Sequence, residues 1–139
     1  MIIAKKVETK KELDYVKLFL VKNDELFNIC KTDIVFIMED NNQIIGAAIC
    51  NIETQNYTRG LLKLLFIAKN KRNKRYGDGL LRALLNYCDI HGIKDIYFEE
   101  IDEYLINFGF FPIDSLNSNN TLYLNTEKFF SQKCCNRES

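Results

Sequence analysis

Histidine and proline each occur once in this 139-residue chain, and none of its five cysteines is spaced as Cys-x-x-Cys. A lone histidine, His91, without a paired Cys/His set argues against a structural zinc site. A single proline and the lack of any Ser/Gly-rich stretch leave no visible linker, so we expect one domain over residues 1–130. We expect residues 131–139, which end in Asn-Arg-Glu-Ser, to be a frayed tail.

Net charge and long apolar runs are also missing. Nineteen cations balance nineteen anions, so attraction to nucleic acid or to an anionic membrane must come from local clustering. No apolar run approaches the roughly 20 residues of a membrane-spanning helix, and the N-terminus lacks the apolar core of a signal peptide. An odd number of scattered cysteines is typical of free thiols in a reducing compartment. We therefore expect a soluble, cytoplasmic protein without a membrane partner.

The hydrophobic pattern predicts a mixed α/β fold. Thr9 and Glu12 form a capping box that opens a first helix, and a second short helix is predicted over residues 24–30. Two β-branched runs joined by Asp-Asn-Asn at residues 40–42 are typical of a hairpin. The predicted strands cover residues 1–7, 33–39, 43–52, 61–68, 96–99, 110–113 and 121–125. Further helices over residues 79–91 and 102–108 complete the pattern, with one β-α-β crossover at its centre.

The stretch KNKRNKRYGDG at residues 69–79 carries five cations in seven positions ahead of two glycines. A nucleic-acid-binding patch would need basic residues spread over one face of the protein together with several aromatic side chains, and Tyr76 is the only aromatic residue in this stretch. A phosphate site uses every feature, because a helix N-terminus points N–H groups outward, Gly77 and Gly79 permit close approach, and cations surround them. The spacing fits neither the Walker loop nor the dinucleotide Gly-x-Gly-x-x-Gly pattern. A solvated loop stays the plain alternative.

The segment LLFIAKNKRNKRYGDGLLRALL resembles the signature of the GNAT superfamily of acyl-CoA-dependent N-acyltransferases, Arg/Gln-x-x-Gly-x-Gly/Ala at the start of a leucine-rich helix. Arg72 matches the first residue of the motif and Gly77 its second glycine, whereas Arg75 stands where the family usually has its first glycine. YLINFGF at residues 104–110 is similar to a second family segment. The resemblance implies a largely antiparallel mixed sheet with a central β-α-β crossover and flanking helices, and acetyl-CoA as co-substrate. The cofactor-binding residues it implies are Phe66, Ile67, Ala68, Arg72, Asn73, Lys74, Arg75, Tyr76, Gly77, Asp78 and Gly79.

Catalytic residues are harder to find. Acyl transfer to an amine needs a base for the amine and an acid for the departing thiolate. The resemblance implies a tyrosine as acid at position 105, which is Leu105 here, so the neighbouring Tyr104 is the better candidate, with a half-buried core tyrosine as its alternative reading. No carboxylate occurs near Leu61, where some members have a base. The carboxylates Glu53, Glu99 and Glu100 are candidates, and we favour Glu99.

Two function classes follow from these residues. The first is an N-acetyltransferase that acts on a small-molecule or peptide amine, and the second is a non-catalytic regulator that binds acetyl-CoA and controls a partner protein. Nucleic-acid binding through the basic loop is a weaker third hypothesis, and we expect no nucleic-acid partner. We expect the loop at residues 117–120 and the N-terminal helices to line the acceptor side. A homodimer through the last strands stays open.

Overall fold

The computed structural model describes residues 1–72, 74–115 and 118–131 of the chain. Its elements follow in the order β1(Ile2–Lys6), α1(Lys10–Lys22), β2(Asp33–Asp40), β3(Gln43–Glu53), β4(Arg59–Ile67), a 3-10 turn (Lys69–Lys71), α2(Tyr76–Ile90), β5(Asp95–Phe98), α3(Glu103–Phe108), β6(Phe111–Ser115) and β7(Ser118–Asn125). Residues 126–131 are also helical. The predicted α/β class is confirmed. Within the described ranges, no helix is both long and apolar enough to cross a bilayer.

The strands form a seven-stranded sheet in the order β1-β2-β3-β4-β5-β7-β6. Of the pairs with a defined register, β4 and β5 run parallel, and the others run antiparallel. Since a parallel pair needs a long crossover, α2 connects β4 to β5. The predicted central β-α-β crossover and the largely antiparallel sheet are therefore confirmed. Pro112 lies in the edge strand β6, where its missing N–H costs least.

The chain divides into two compact units, the first made of residues 1–51 and 63–84. In it, Asn41 and Asn42 take positive φ values of 49° and 70°, as a two-residue hairpin turn requires, and join β2 to β3. The predicted capping box of α1 is present, with Thr9 and Glu12 each bonding the other's backbone. The helix packs its buried face on β2 and β3, and this core comprises Val16, Leu20, Val35, Ile37, Ala47 and Ile49.

The second unit comprises residues 52–62 and the chain from residue 85 onward. Its core includes Ile96, Leu122 and Leu124, each at most 2% exposed, from the paired strands β5 and β7. Asp102 caps α3 as predicted, because its carboxylate accepts the Leu105 N–H at 3.0 Å. A short local signal thus fixes the start of this helix.

One predicted helix and several predicted boundaries are wrong. Residues 24–30 are not helical: α1 ends at Lys22, and Asp24 takes a left-handed φ of 60°. The backbone of this segment finds other partners: the Asp33 carboxylate accepts the Cys30 N–H at 2.8 Å, and Lys63 donates to the Asn28 carbonyl at 3.4 Å. Tertiary hydrogen bonds therefore replace helical ones.

Helix α2 begins at Tyr76, three residues before the predicted start at Gly79. A Gly-x-Gly pair favours a loop, yet a helix tolerates glycine at about 1 kcal/mol per residue. Residues 118–120, predicted as a loop, belong to β7, because the pairing of Ser115 with Ser118 extends the β6–β7 ladder over weak strand formers. Ser131, the first residue of the predicted tail, is helical, and residues 132–139 lie outside the described ranges.

Candidate functional site

The carboxyl end of β4 is the anchor of the candidate site. Phe66 and Ile67 are 7% and 9% exposed, and β3 approaches them closely at Gly46. A Cβ atom at Gly46 would lie 2.5 Å from Ile67 Cδ1 and 3.0 Å from the Phe66 carbonyl oxygen. Because only glycine fits this contact without a shift, Gly46 sets the distance between β3 and the end of β4.

The chain leaves β4 through a hydrogen-bonded turn. The Ala68 N–H donates to the Ile45 carbonyl at 2.8 Å, and the Lys71 N–H donates back to the Ala68 carbonyl at 2.9 Å. The Lys71 ammonium lies 3.5 Å from Asp40 at the end of β2. The sequence analysis missed Ile45 and Asp40, since no local signal shows which strand residues the loop meets. These contacts hold the first half of the basic loop against β2 and β3.

Arg72 closes the loop onto the end of the strand. Its Nε donates to the Ile67 carbonyl at 2.8 Å, and its guanidinium lies 5.3 Å from the centre of the Phe66 ring. Such a cation over an aromatic face adds to the hydrogen bond. A carbonyl oxygen has two lone pairs, so Ile67 can still accept a second hydrogen bond. Arg72 therefore holds the loop against the end of β4 and leaves the Ile67 carbonyl able to accept another hydrogen bond.

Arg75 carries the sharp turn into α2. Its φ of 61° lies in the left-handed region, which costs a non-glycine residue about 1 kcal/mol. The first helical hydrogen bond follows at once, from the Gly79 N–H to the Arg75 carbonyl at 3.3 Å. The N–H groups of the first turn precede that bond and point out along the helix axis, where they form the positive end of the helix dipole.

Cations surround this helix N-terminus. Lys69, Lys74 and Arg75 are exposed, and Lys71 is partly exposed. Asn73, also predicted to bind the cofactor, lies outside the described residues. A helix N-terminus with exposed cations on the preceding loop is an arrangement that binds phosphate groups. The first unit thus contains the remaining predicted cofactor-binding residues, which lie on both sides of Asn73 between Phe66 and Gly79.

The second unit contains a cluster of tyrosines that the sequence analysis missed. The hydroxyls of Tyr57 and Tyr97 lie 3.2 Å apart, and the Tyr97 and Tyr123 rings pack with centres 5.2 Å apart. The Tyr123 hydroxyl donates to Asp95. Burial raises the pKa of Tyr97, as does its bond to Tyr57, and burial together with the Asp95 bond raises the pKa of Tyr123. Three separate segments supply the members, so no spacing rule could reveal the cluster.

Comparison with known proteins decides the family. A family model described as the acetyltransferase (GNAT) family matches residues 5–110. The chain belongs to this family. No curated protein matches the chain significantly.

Solved structures share the GNAT fold at low identity. Naa50 of Arabidopsis thaliana, in complex with the bisubstrate analogue CoA-Ac-MVNAL, is 17% identical with a TM-score of 0.67, over 88% of this chain and 96% of that one. The ribosomal-protein-S18-alanine N-acetyltransferase of Escherichia coli is 12% identical with a TM-score of 0.71, over 91% and 94%. The KacTA–DNA complex contains a chain that is 13% identical with a TM-score of 0.70, over 96% and 99%. These likenesses concern the fold.

The GNAT residue pattern and the backbone agree at Arg75. Where this family usually has its first motif glycine, the chain keeps the left-handed backbone that glycine adopts most easily. Arg75 thus combines a backbone conformation that suits glycine with a cationic side chain.

The GNAT acid position is less well matched. Leu105 on α3 is buried, with 3% of its surface exposed, whereas Tyr104 is 45% exposed. One residue turns a helix by about 100°, which accounts for the difference. Glu99 and Glu100 follow β5 and are exposed, while Glu53 forms an ion pair with Arg59 at 2.7 Å. That ion pair makes Glu53 the weakest of the three candidate bases.

Proposed function

We propose that the protein is an acetyl-CoA-dependent N-acetyltransferase that transfers an acetyl group to an amine. The observation that carries the proposal is the turn at the start of α2, where Arg75 at φ 61° precedes a helix N-terminus that contains Gly77 and Gly79. Outward N–H groups, small residues and cations at one helix start favour a pyrophosphate over an uncharged ligand. Membership of the GNAT family supports acetyl-CoA as the molecule that supplies it.

Each part of the segment has a separate role in this proposal. The first-turn N–H groups of α2 and the cations Lys74 and Arg75 would hold the phosphates. The backbone of Ile67 would hold the pantetheine arm, with Arg72 fixing the strand end through its 2.8 Å hydrogen bond to the Ile67 carbonyl. Acetyl-CoA, when bound, supplies an activated acyl group as a thioester.

The amine must reach the reaction without its proton, because only the neutral form is nucleophilic. We propose Glu99 as the base that removes this proton, directly or through water, and Tyr104 as the acid that protonates the departing thiolate. Exposure of both side chains supports the proposal, since a proton donor or acceptor must be accessible to its partner.

The acceptor class is proposed from the two GNAT neighbours whose descriptions name one. One acetylates the alanine of a ribosomal protein, and the other holds CoA joined to a peptide. A peptide N-terminal amine is therefore the acceptor to test first, with small amines beside it. Among the described cysteines, Cys30 and Cys88 are free, which supports a reducing, cytoplasmic location.

The first experiment is a calorimetric titration of the protein with acetyl-CoA, with Gly77→Glu beside the wild type. A carboxylate in the first turn should repel the phosphates and weaken binding at least tenfold, while it favours the helix dipole and preserves folding. Asn86→Glu is the matched control, because it adds the same charge to an exposed position nine residues later in α2. Equal affinity in both variants, or no binding to the wild type, would overturn the cofactor proposal.

Turnover then separates an enzyme from a regulator. An enzyme should release CoA when a peptide amine is added to acetyl-CoA, and Glu99→Gln and Tyr104→Phe should slow that release without loss of acetyl-CoA binding. A regulator, which the buried Leu105 at the usual acid position favours, would bind acetyl-CoA without turnover on any amine.

A third arm tests nucleic acid, because the KacTA complex contains DNA. We propose that the basic loop serves a small cofactor, so binding to a DNA duplex or to RNA should be weak. Tight binding that falls steeply with salt concentration would contradict this part of the proposal.

A further inference from the structure

Helix α1 carries apolar side chains on two opposite faces. Val16 and Leu20 point into the core and are at most 1% exposed. On the outer face, Tyr15, Leu18 and Val21 are 53%, 65% and 59% exposed. At 100° per residue, Leu18 lies opposite the core face, in the middle of this outer stripe. Single exposed apolar residues are ordinary, but three on consecutive turns of one helix form a surface that a partner can cover.

Charged residues border the stripe in a self-complementary order. Asp14 lies four residues before Leu18, and Lys22 lies four residues after it. Asp14 and Lys22 are exposed. Within the described residues, neither Asp14 nor Lys22 forms an ion pair.

We propose that this outer face of α1 binds the same face of a second copy of the chain, with the two helices antiparallel and Leu18 at the two-fold axis. In such a pair, a residue that lies a given number of positions before Leu18 in one copy is at the same height along the interface as the residue that lies the same number of positions after Leu18 in the other copy. Asp14 then lies level with Lys22 of the second copy. Tyr15 lies level with Val21, and Leu18 with Leu18.

The two-fold symmetry makes each of these contacts occur twice, except the single contact of Leu18 with Leu18, so both ends of the interface have matched charges. A parallel arrangement would instead place Asp14 beside Asp14 and Lys22 beside Lys22, where like charges repel. The charge order of α1 therefore favours an antiparallel second copy over a parallel one.

The surroundings of α1 leave room for a second helix. A cavity of about 570 Å³ borders Tyr15 and Leu18 on the side of β2 and β3, and another of about 590 Å³ borders Val21 and Leu26. Leu26, just beyond the helix, is 84% exposed. Side chains of the second copy can enter both depressions, which enlarges a contact that one 13-residue helix alone would keep small.

The test uses charge reversal and sedimentation velocity from about 1 to 500 µM protein, a range set by the micromolar affinity of small interfaces. The wild type should show a concentration-dependent dimer. Asp14→Lys and Lys22→Asp should each weaken the dimer at least tenfold, because each creates two like-charge contacts. The double variant restores opposite charges and should dimerise again. An equimolar mixture of the two single variants should form a heterodimer, since each supplies the charges that the other needs.

Lys128→Asp is the matched control, because Lys128 is exposed, lies outside α1 and lines neither depression. It should leave the dimer unchanged, whereas Leu18→Glu should abolish it. Circular dichroism and thermal unfolding of every variant show that the fold is kept. A wild type that stays monomeric throughout overturns the proposal. A dimer that neither single reversal weakens, or that the mixture does not restore, overturns it as well and places any interface elsewhere.

Discussion

Replacement of Gly46 by alanine should destabilise the protein through one specific contact. The added Cβ would lie 2.5 Å from Ile67 Cδ1, a distance that requires this side chain to move, and 3.0 Å from the Phe66 carbonyl oxygen, which is backbone. Overpacking of a well-filled site costs about 1–3 kcal/mol. Loss of glycine flexibility in the unfolded chain offsets about 0.4–1 kcal/mol of this. We therefore expect a net loss of about 1–2 kcal/mol in the free energy of unfolding.

Gly79→Ala is the matched control for this substitution. The same methyl group at Gly79 meets only Met38 Cε at 3.5 Å, an ordinary contact, and the position is helical and exposed. Alanine in a helix is more favourable than glycine by about 0.5–1 kcal/mol. The same glycine-to-alanine change should thus lower the free energy of unfolding at position 46 and raise it at position 79. The free energies of unfolding of the two variants should differ by about 2 kcal/mol.

Urea denaturation followed by far-UV circular dichroism measures both variants, with the slope m as the check that unfolding stays two-state. Gly46→Ala should also weaken acetyl-CoA binding, because the displaced Ile67 belongs to the proposed cofactor segment. A Gly46→Ala protein as stable as Gly79→Ala would refute the close-packing argument.

Three further predictions concern single groups. Arg75→Gly should be more stable than Arg75→Ala by about 1 kcal/mol, because only glycine adopts φ 61° without strain, and equal stabilities in urea would contradict this. Burial alone would raise the pKa of Asp33, but the hydrogen bond from Lys63 at 2.8 Å and two further donors lower it. The Asp33 carboxylate therefore stabilises the fold at pH values above its pKa in the unfolded chain. This stabilisation is lost as the pH falls through the lower pKa of Asp33 in the folded protein. Urea midpoints measured from about pH 5 to 2 should therefore fall less steeply in Asp33→Asn than in the wild type. Because the chain has no tryptophan, tyrosinate absorbance can be read directly in a pH titration. Tyr97 and Tyr123 should ionise at a pH above the usual tyrosine pKa for as long as the protein stays folded. If a Tyr97→Phe, Tyr123→Phe variant keeps this late-ionising part of the titration, other tyrosines cause it.

Sequence reasoning succeeds where a few neighbouring residues decide the outcome. The Thr9–Glu12 capping box needs only four residues, and the two-residue turn at Asn41 and Asn42 needs only side chains that tolerate positive φ. The parallel pairing of β4 and β5 follows from the length of the crossover between them. Such features do not depend on what the rest of the chain does.

The errors arise where distant residues compete with local preference. Residues 24–30 have a helical pattern, yet Asp33 and Lys63 satisfy the backbone of this segment from other strands. The Tyr57–Tyr97–Tyr123 cluster likewise depends on three segments meeting. Neither outcome can be read from spacing, because the register between strands is set by the packing of the whole sheet.

Arg75 departs from the family motif but has a backbone conformation that glycine adopts easily. A glycine there would relieve about 1 kcal/mol of strain but would add no charge. An arginine retains the left-handed turn, since the hydrogen bonds on both sides, from Arg72 to Ile67 and from the Gly79 N–H to Arg75, fix the backbone around it. It also places a guanidinium at the helix start, where an anion gains a charge-assisted partner. Acetyl-CoA affinity separates the two contributions: Arg75→Gly and Arg75→Ala should both bind more weakly than the wild type, and a glycine variant that binds as tightly as the wild type would show that the turn alone makes the site.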